Sequence, residues 1–537
     1  MKSRRSSLLC RAAPVAAGVA IVLAPAVARA DEPAPRPAAS AASVDPYAVF
    51  PLAAPHEKHY VRASLEVGGV LAVGLVDYML STTTRGGTTR IGDIRWGLRY
   101  DWPVLRDKLI GTGLDLDTNK LATNYVSHPL AGTLYYTAAR SNHLSFVESS
   151  AFAVLGSTTW EYFGEIREVA SINDLIVTPV SGIAIGEPLM QLSGFFRRGK
   201  RNFATELASF IFSPMKVINE LVDDAEPLAA SRTDALGLAA DPWHRFTIGA
   251  GVAVTSQGEG DATHPAVTYL DERFSADLRV ATLPRYAGAG HESRLFDDGN
   301  VSGVRFDLGV SRGQLVDARF ATSLVPFGYY FRDGRVDARG RLHGHGVLLG
   351  LRMGFEYGVH DYDRDRLRPL DIIAIASPIG VALEHRWTRG SLDVRTAIDL
   401  SGGIAAVTPL AFSAYRRSHG IDDVLTPVRE AGYYHAYAIE ASPTLDMGVG
   451  ALRSTTSLRL DTFRAIVGHD AQEASVASGP AFRDRRSLLQ STIGFVAPGT
   501  PWRVALGLQH AFREGSVGSV RVSRGESSAS ASVGVEF

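Results

Sequence analysis

Residues 528–537 read SASASVGVEF. Counted back in twos, Phe537, Val535, Val533, Ala531 and Ala529 are apolar, and Glu536, Gly534, Ser532, Ser530 and Ser528 are small or polar. A period of two marks a strand with one greasy face and one polar face. The same period runs upstream as far as Trp243. RFTIGAGVAV sets Phe246, Ile248, Ala250, Val252 and Val254 against Thr247, Gly249, Gly251 and Ala253. VLLGLRMGFEY sets Val347, Leu349, Leu351, Met353, Phe355 and Tyr357 against Leu348, Gly350, Arg352, Gly354 and Glu356. FSADLRV, VRFDLGVS, SLDVRTAIDL and WRVALGLQHAF repeat it.

A soluble sandwich alternates too, and a periplasmic protein with a soluble β-domain is one reading. Two features favour a membrane. The segments are about 9–12 residues long, enough for a tilted strand to cross a bilayer. Their polar positions carry charges of both signs beside glycine, which suits a polar lumen. In lipid every backbone group must be paired, so the sheet must close on itself. The spacing predicts a transmembrane antiparallel β-barrel of about twelve strands, an even number between ten and fourteen, over residues 243–537. SASASVGVEF is then its closing strand. The aromatic runs PFGYYF (326–331) and YYHAY (433–437) are expected at the lipid interfaces. The ending also resembles the C-terminal signature of bacterial outer-membrane proteins. That resemblance implies that Phe537 is the insertion signal read by the barrel insertion machinery.

The opening residues agree. Lys2, Arg4 and Arg5 precede the apolar run VAAGVAIVLAPAV and the tripeptide Ala28-Arg29-Ala30. This is the pattern of a secretory signal peptide over 1–30, with an apolar run short for an anchor. Its five basic residues, taken from 55, leave 50 against 56 acidic, a net charge of −6. No basic excess points to nucleic acid. The sole cysteine, Cys10, lies in the leader, so the exported chain has no thiol or disulfide chemistry. The expected location is the outer membrane of a Gram-negative cell, with outer-membrane lipid as a partner.

Residues 31–56, rich in Pro and Ala, read as a flexible linker, and 226–242 as a second. Between them, 57–225 has helical spacing in SFVESSAFAVLGSTTWEYFGEIREVA, NDLIVTPVSGIAIGEPLMQLSGFF and ATELASFIFSPMKVINELVDD. The fold class is therefore α+β and multidomain: an N-terminal helical domain followed by the barrel. The helical pieces are apolar but broken by charge. They are expected on the periplasmic side, packed against the barrel, or in its mouth as a plug or adaptor.

The polar residues of the helical region follow an order: His128-Pro129, Gly132, Tyr135-Tyr136 and Ala139-Arg140, then Ser157, Trp160-Glu161-Tyr162 and Glu165, then Ser171, Asp174-Leu175-Ile176, Thr178, Gly182 and Gly186-Glu187. Over residues 100–200 this resembles the bacterial domain of unknown function DUF3943. The resemblance brings no established activity.

Glu161, Glu165 and Glu168 fall at i, i+4 and i+7, on one face of a helix. With His128, Arg140, Asp174 and Glu187 they could form one acidic cluster for acid/base chemistry or a polar ligand. His128, Glu161 and Glu165 are the catalytic candidates, and Arg140, Trp160, Asp174 and Glu187 the candidates for binding a small molecule or lipid headgroup. Structural readings compete. Glu161–Arg140 and Glu165–Arg167 could be ionic ties, Ser171-x-x-Asp174 a helix start, and Thr178, Gly182 and Gly186 a small-residue seam. Asn142-His143-x-Ser145 with Glu148 is a weaker nucleophile–base set. His343, His345, His435 and His510 carry no zinc spacing. No metal or cofactor is expected. The leading reading is non-enzymatic: envelope structure, or handling of a solute or lipid. The alternative is an envelope-lipid-modifying enzyme using Glu161, Glu165 and His128.

Overall fold

The computed structural model describes residues 57–84, 102–111, 114–116, 119–165, 170–225, 229–230, 232–234, 236–257, 267–362, 370–419, 432–466 and 481–537. The leader with Cys10, the linker 31–56, and Arg167 and Glu168 lie outside them.

Among the described residues seven helices come first: α1 (Tyr60–Thr84), α2 (Trp102–Leu109), α3 (His128–Ser141), α4 (Phe146–Thr159), α5 (Ile172–Arg198), α6 (Phe203–Phe212) and α7 (Pro214–Val222). Two π-helical turns, Thr123–Ser127 and Trp160–Gly164, precede α3 and follow α4. Helices α3 and α5 run side by side and parallel, because Gly132 meets Thr178 and Gly182, Tyr136 meets Gly186, and Arg140 meets Glu187. Their backbones touch. A Cβ on Gly132 would lie 2.0 Å from the Thr178 carbonyl oxygen, and one on Gly182 2.3 Å from the Gly132 carbonyl carbon. The Thr178, Gly182, Gly186 seam makes this contact, as small residues allow two helices to approach.

Fourteen strands follow: β1 (Trp243–Gln257), β2 (Val267–Ala281), β3 (Gly290–Phe296), β4 (Val301–Ser311), β5 (Gln314–Val325), β6 (Gly328–Val336), β7 (Leu342–His360), β8 (Asp371–Arg389), β9 (Leu392–Val407), β10 (Tyr434–Val449), β11 (Leu452–Ala465), β12 (Phe482–Val496), β13 (Trp502–Val517) and β14 (Val520–Glu536). Twelve close an antiparallel ring in the order β1-β2-β4-β5-β7-β8-β9-β10-β11-β12-β13-β14. The short β6 and β3 extend the sheet from the first half of β7. A helix α8 (Phe412–His419) sits between β9 and β10.

The closing strand pairs with the opening one from Glu526↔Gln257 to Glu536↔Thr247. Phe537 extends this pairing by one residue. Its amide donates to the Phe246 carbonyl at 3.0 Å, and its carbonyl accepts from the Phe246 amide at 2.7 Å. We call the rim that holds Trp243 and Phe537 proximal and the opposite rim distal.

Contacts between distant strands fix which face is inside. Arg245 of β1 reaches Asp446 of β10, Arg305 of β4 reaches Gln490 of β12, and Arg486 of β12 reaches Glu356 of β7. Only the lumen lets such strands touch. Alternate residues therefore face outward, and Ile398, Tyr437, Ile439, Ile493, Leu506, Leu508 and Val533 form an exposed apolar belt, as lipid requires.

The helices stand against this outer face and not in the mouth. Phe246, Ile248, Leu278, Val280, Val304 and Val535 point outward and pack with Leu192, Phe195 and Phe196 of α5. Phe355, Ala374, Ala376 and Ala406 do the same with Val177, Ala184 and Ile185. So α5 crosses the wall from the distal rim to the proximal rim. Among the described residues it is the one helix long and apolar enough to cross a membrane, with 78% of its apolar window buried. The plug arrangement is therefore replaced by an external one. Tyr433 and Tyr434 also depart from the interfacial expectation. Tyr433 is buried under the helices, where its hydroxyl donates to the Asn119 carbonyl at 2.7 Å, and Tyr434 points inward onto Asp484 at 2.7 Å.

Candidate functional site

The helical bundle has two ends. At the proximal end, Arg62 holds both carboxylate oxygens of Asp223 at 2.5 and 2.7 Å, and Lys58 pairs with Glu148 at 2.9 Å. The Arg62 guanidinium keeps the Asp223 carboxyl at about 2, below its ordinary value. At the distal end, Asn124 donates to the Tyr433 hydroxyl at 3.0 Å, and Tyr125 lies against His435.

The acidic cluster expected from sequence divides between these ends. Arg140 and Glu187 lie toward the proximal rim. Arg140 Nε donates to Glu187 Oε2 at 3.0 Å, and Arg140 Nη2 donates to Asp298 Oδ1 at 2.7 Å in the loop between β3 and β4. Tyr136 and Gln191 also donate to Glu187. The pair Glu161–Arg140 does not form; Arg140 ties the bundle to the barrel instead. Gly299, at φ +72°, lies directly against Glu187, where a Cβ would come within 2.6 Å of Oε1.

Glu161, His128 and Asp174 meet at the distal end. One ligand atom from each lies within 4.8 Å of the other two, and all three residues are buried. His128 Nε2 and Asp174 Oδ2 are 3.8 Å apart. Local structure places each group. His128 begins α3 directly after one π turn, and Glu161 sits inside the other. Ser171 caps α5, its hydroxyl accepting from the Asp174 amide at 3.1 Å. The Ser171 amide donates to Glu161 Oε2 at 2.8 Å.

Glu165 is not in this group. Glu165 ends the π turn Trp160–Gly164 as its C-cap residue, outside the helical backbone that carries Glu161. Glu165 Oε1 accepts from the Trp160 indole at 3.0 Å, which also accounts for Trp160. Lys108, absent from the sequence reading, is buried and donates to the Glu161 and Glu165 carbonyls at 2.8 and 2.7 Å. A lone lysine in an otherwise unremarkable short helix gave no signal.

The weaker sets dissolve. Ser145 and Glu148 form a capping box at the start of α4: the Ser145 hydroxyl accepts from the Glu148 amide at 3.3 Å, and the Ser145 amide donates to the Glu148 carboxylate at 2.8 Å. That explains both without nucleophilic chemistry. His343 pairs with Asp337, His510 with Ser527, and His345 lies on Phe331, so these histidines do not gather.

The lumen holds the densest charge. Glu356 accepts from Arg319, Arg459 and Arg486 at 2.5–2.6 Å, and Asp461 accepts from Arg459 and Arg486 at 3.0 and 2.7 Å. Toward the proximal rim, Arg395 bridges Glu384 and Asp446. A cavity of about 580 Å³ remains, lined by Arg245, Arg305, Asp307, Asp446, Arg486 and Arg503 among others. Each rim carries an inward-turned segment. Tyr286, in the turn after β2, packs on Trp243 and donates to Glu384. Phe412 of α8 packs on Phe482, and the Thr408 carbonyl accepts from Arg513.

A closed ring of twelve antiparallel strands, apolar outside and ionic inside, defines an outer-membrane β-barrel protein. Its residues 113–215, spanning α3 to α6, match the family described as "Domain of unknown function (DUF3943)". No curated protein matches the chain. Solved structures similar to the barrel include the translocator domain of the autotransporter NalP from Neisseria meningitidis, at 10% identity, over 55% of this chain and 88% of that chain, TM-score 0.20. A loop-deletion variant of OmpT, an outer-membrane protein of Vibrio cholerae, is 6% identical over 55% of this chain and 99% of that chain, TM-score 0.21. OccAB4 of Acinetobacter baumannii is 8% identical over 55% and 98%, TM-score 0.17.

Proposed function

We propose that this protein is not a general pore, and that its working part is the helical bundle on the outer wall, which handles a lipid or a lipid-borne solute. One observation carries this reading: near-opposite strands are tied across the lumen by Arg245–Asp446, Arg305–Gln490 and Arg486–Glu356, whereas the bundle leaves an apolar flank uncovered. Val61, Leu65 and Val73 of α1, Leu130 of α3, and Leu155 of α4 are all more than half exposed. A soluble helix would turn polar residues to that side. Lipid is the solvent that suits it.

In this reading the leader 1–30 directs export, the proximal rim faces the periplasm, and Phe537 serves the insertion machinery. The test is conductance. Full-length protein, refolded and shown to shift in heat-modifiable migration, is added to a planar bilayer. We expect current no larger than that of the lipid alone. A steady ohmic conductance would show an open pore and defeat the reading. Comparing envelope lipids of cells with and without the gene then tests lipid handling; identical profiles would remove it.

A second reading, an enzyme acting on envelope lipid, is favoured by the meeting of His128 and Glu161 with Asp174. In it Asp174 replaces Glu165. Glu161→Gln would then alter the lipid profile while leaving the barrel folded.

A further inference from the structure

We propose that His128, Glu161 and Asp174 bind a divalent first-row transition-metal ion at the distal end of the bundle. The argument begins with the donor set. One imidazole nitrogen and two carboxylate oxygens converge, with ligand atoms mutually within 4.8 Å. Two donors on one ion with bonds of about 2.0–2.2 Å lie roughly 3–3.5 Å apart. The 3.8 Å between His128 Nε2 and Asp174 Oδ2 is close to that and too long for a hydrogen bond. A histidine among carboxylates favours zinc, manganese or iron(II) over calcium or magnesium, which prefer oxygen alone.

The surroundings are those of a held site. Metal-binding carboxylates are commonly fixed by a hydrogen bond to one oxygen, which aims the other. Here Glu161 Oε2 accepts from the Ser171 amide at 2.8 Å, and Asp174 Oδ1 accepts from Asn173 Nδ2 at 3.0 Å. Both carboxylates are fully buried, so an ion held between them and the imidazole would be screened from bulk water. π-Helical turns are rare and often mark functional positions, and this group uses one directly and follows another.

An independent sign lies one helical turn away on the same segments. Asn124, four residues before His128, and Thr178, four after Asp174, are both buried. The Asn124 carboxamide oxygen and the Thr178 hydroxyl have no hydrogen-bond partner. Buried polar atoms are nearly always satisfied. A hydrated ion nearby would supply water for them, since three protein donors leave coordination positions open.

A rival cluster of the same composition, His59, His143 and Asp223, does not qualify. Arg62 already occupies both Asp223 oxygens at 2.5 and 2.7 Å, and the group is only partly buried.

The test uses the full chain in detergent, after refolding, with elemental analysis. The protein is stripped with EDTA, loaded with zinc chloride or manganese chloride, and desalted. We expect roughly one ion per chain for the wild type. Glu161→Gln and Asp174→Asn, nearly isosteric, should each retain at least tenfold less, while Asp223→Asn retains the wild-type amount. Heat-modifiable migration confirms that each variant is folded. If a variant does not fold, the wild type alone decides, because zinc should raise its melting temperature and EDTA reverse the rise. Folded wild type that takes up no ion from either salt, or folded variants that keep the full amount, would overturn the proposal. Neither outcome bears on conductance or on lipid profiles, so this site and the lipid-handling reading fail separately.

Discussion

The lumen and the distal end of the helical bundle both bury charge, in opposite ways. In the lumen Glu356 meets three arginines and Asp461 two, so each acid is surrounded by cations. At the bundle's distal end two acids, Glu161 and Asp174, meet one histidine. The first arrangement neutralises itself and serves as a strut. The second gathers donors at one point and suits a ligand. The convergence of an imidazole with two carboxylates, more than the burial of charge itself, sets the second arrangement apart.

Breaking the strut should give the largest effect. Glu356→Gln leaves Arg319, Arg459 and Arg486 facing one another without their shared acid. Removing one partner of a buried pair costs about 3–5 kcal/mol. A fall of that size in unfolding free energy in urea is expected, and an unchanged midpoint would show that the lumen network is not structural. The seam comes next. Gly182→Ala places a methyl group 2.3 Å from the Gly132 carbonyl carbon, so α3 and α5 must part. Overpacking of this kind costs about 1–3 kcal/mol. Limited proteolysis should cut residues 57–225 faster while heat-modifiable migration of the barrel persists. Equal cutting rates would mean that the helices do not touch there.

The smallest expected effect is at Asp223. Its folded carboxyl titrates at about 2 against an ordinary 3.8, because Arg62 hydrogen-bonds to the charged form. A lowered folded value means stabilisation present above about pH 4 and lost as pH falls toward 2. The difference in melting temperature between wild type and Asp223→Asn should shrink as pH falls below about 4 and be nearly gone near pH 2. A difference that persists there would assign the effect to something other than this ion pair.

The barrel was legible because its signal is local. Period two in SASASVGVEF, RFTIGAGVAV and VLLGLRMGFEY is set by the pleat, and the apolar positions of each face lipid or helix in the structure. The seam Thr178, Gly182, Gly186 was legible for the same reason, as a spacing on one helix. The site was only partly so. His128, Glu161 and Asp174 were among the candidates, but they belong to three segments, and no spacing in one segment reports a contact between three. The helical period placed Glu165 with Glu161, but it could not tell that Glu165 caps the turn and accepts from the Trp160 indole. Likewise, period two places Glu356, Arg459 and Arg486 on the polar faces of their strands without saying which strands stand opposite. Tyr433 and Tyr434 look like interfacial aromatics until the helices and the lumen claim them.

The bundle on the outer wall also changes how the molecule meets its neighbours. A bare barrel offers lipid nearly the same surface in every direction. This one carries a helical keel on the strands from β9 round to β1, so it has a front and a back in the plane of the membrane. Another protein can lie flat against the bare sheet of β10 to β13, but on the keel side it meets helices. Orientation about the membrane normal, which a plain cylinder lacks, is built into this chain.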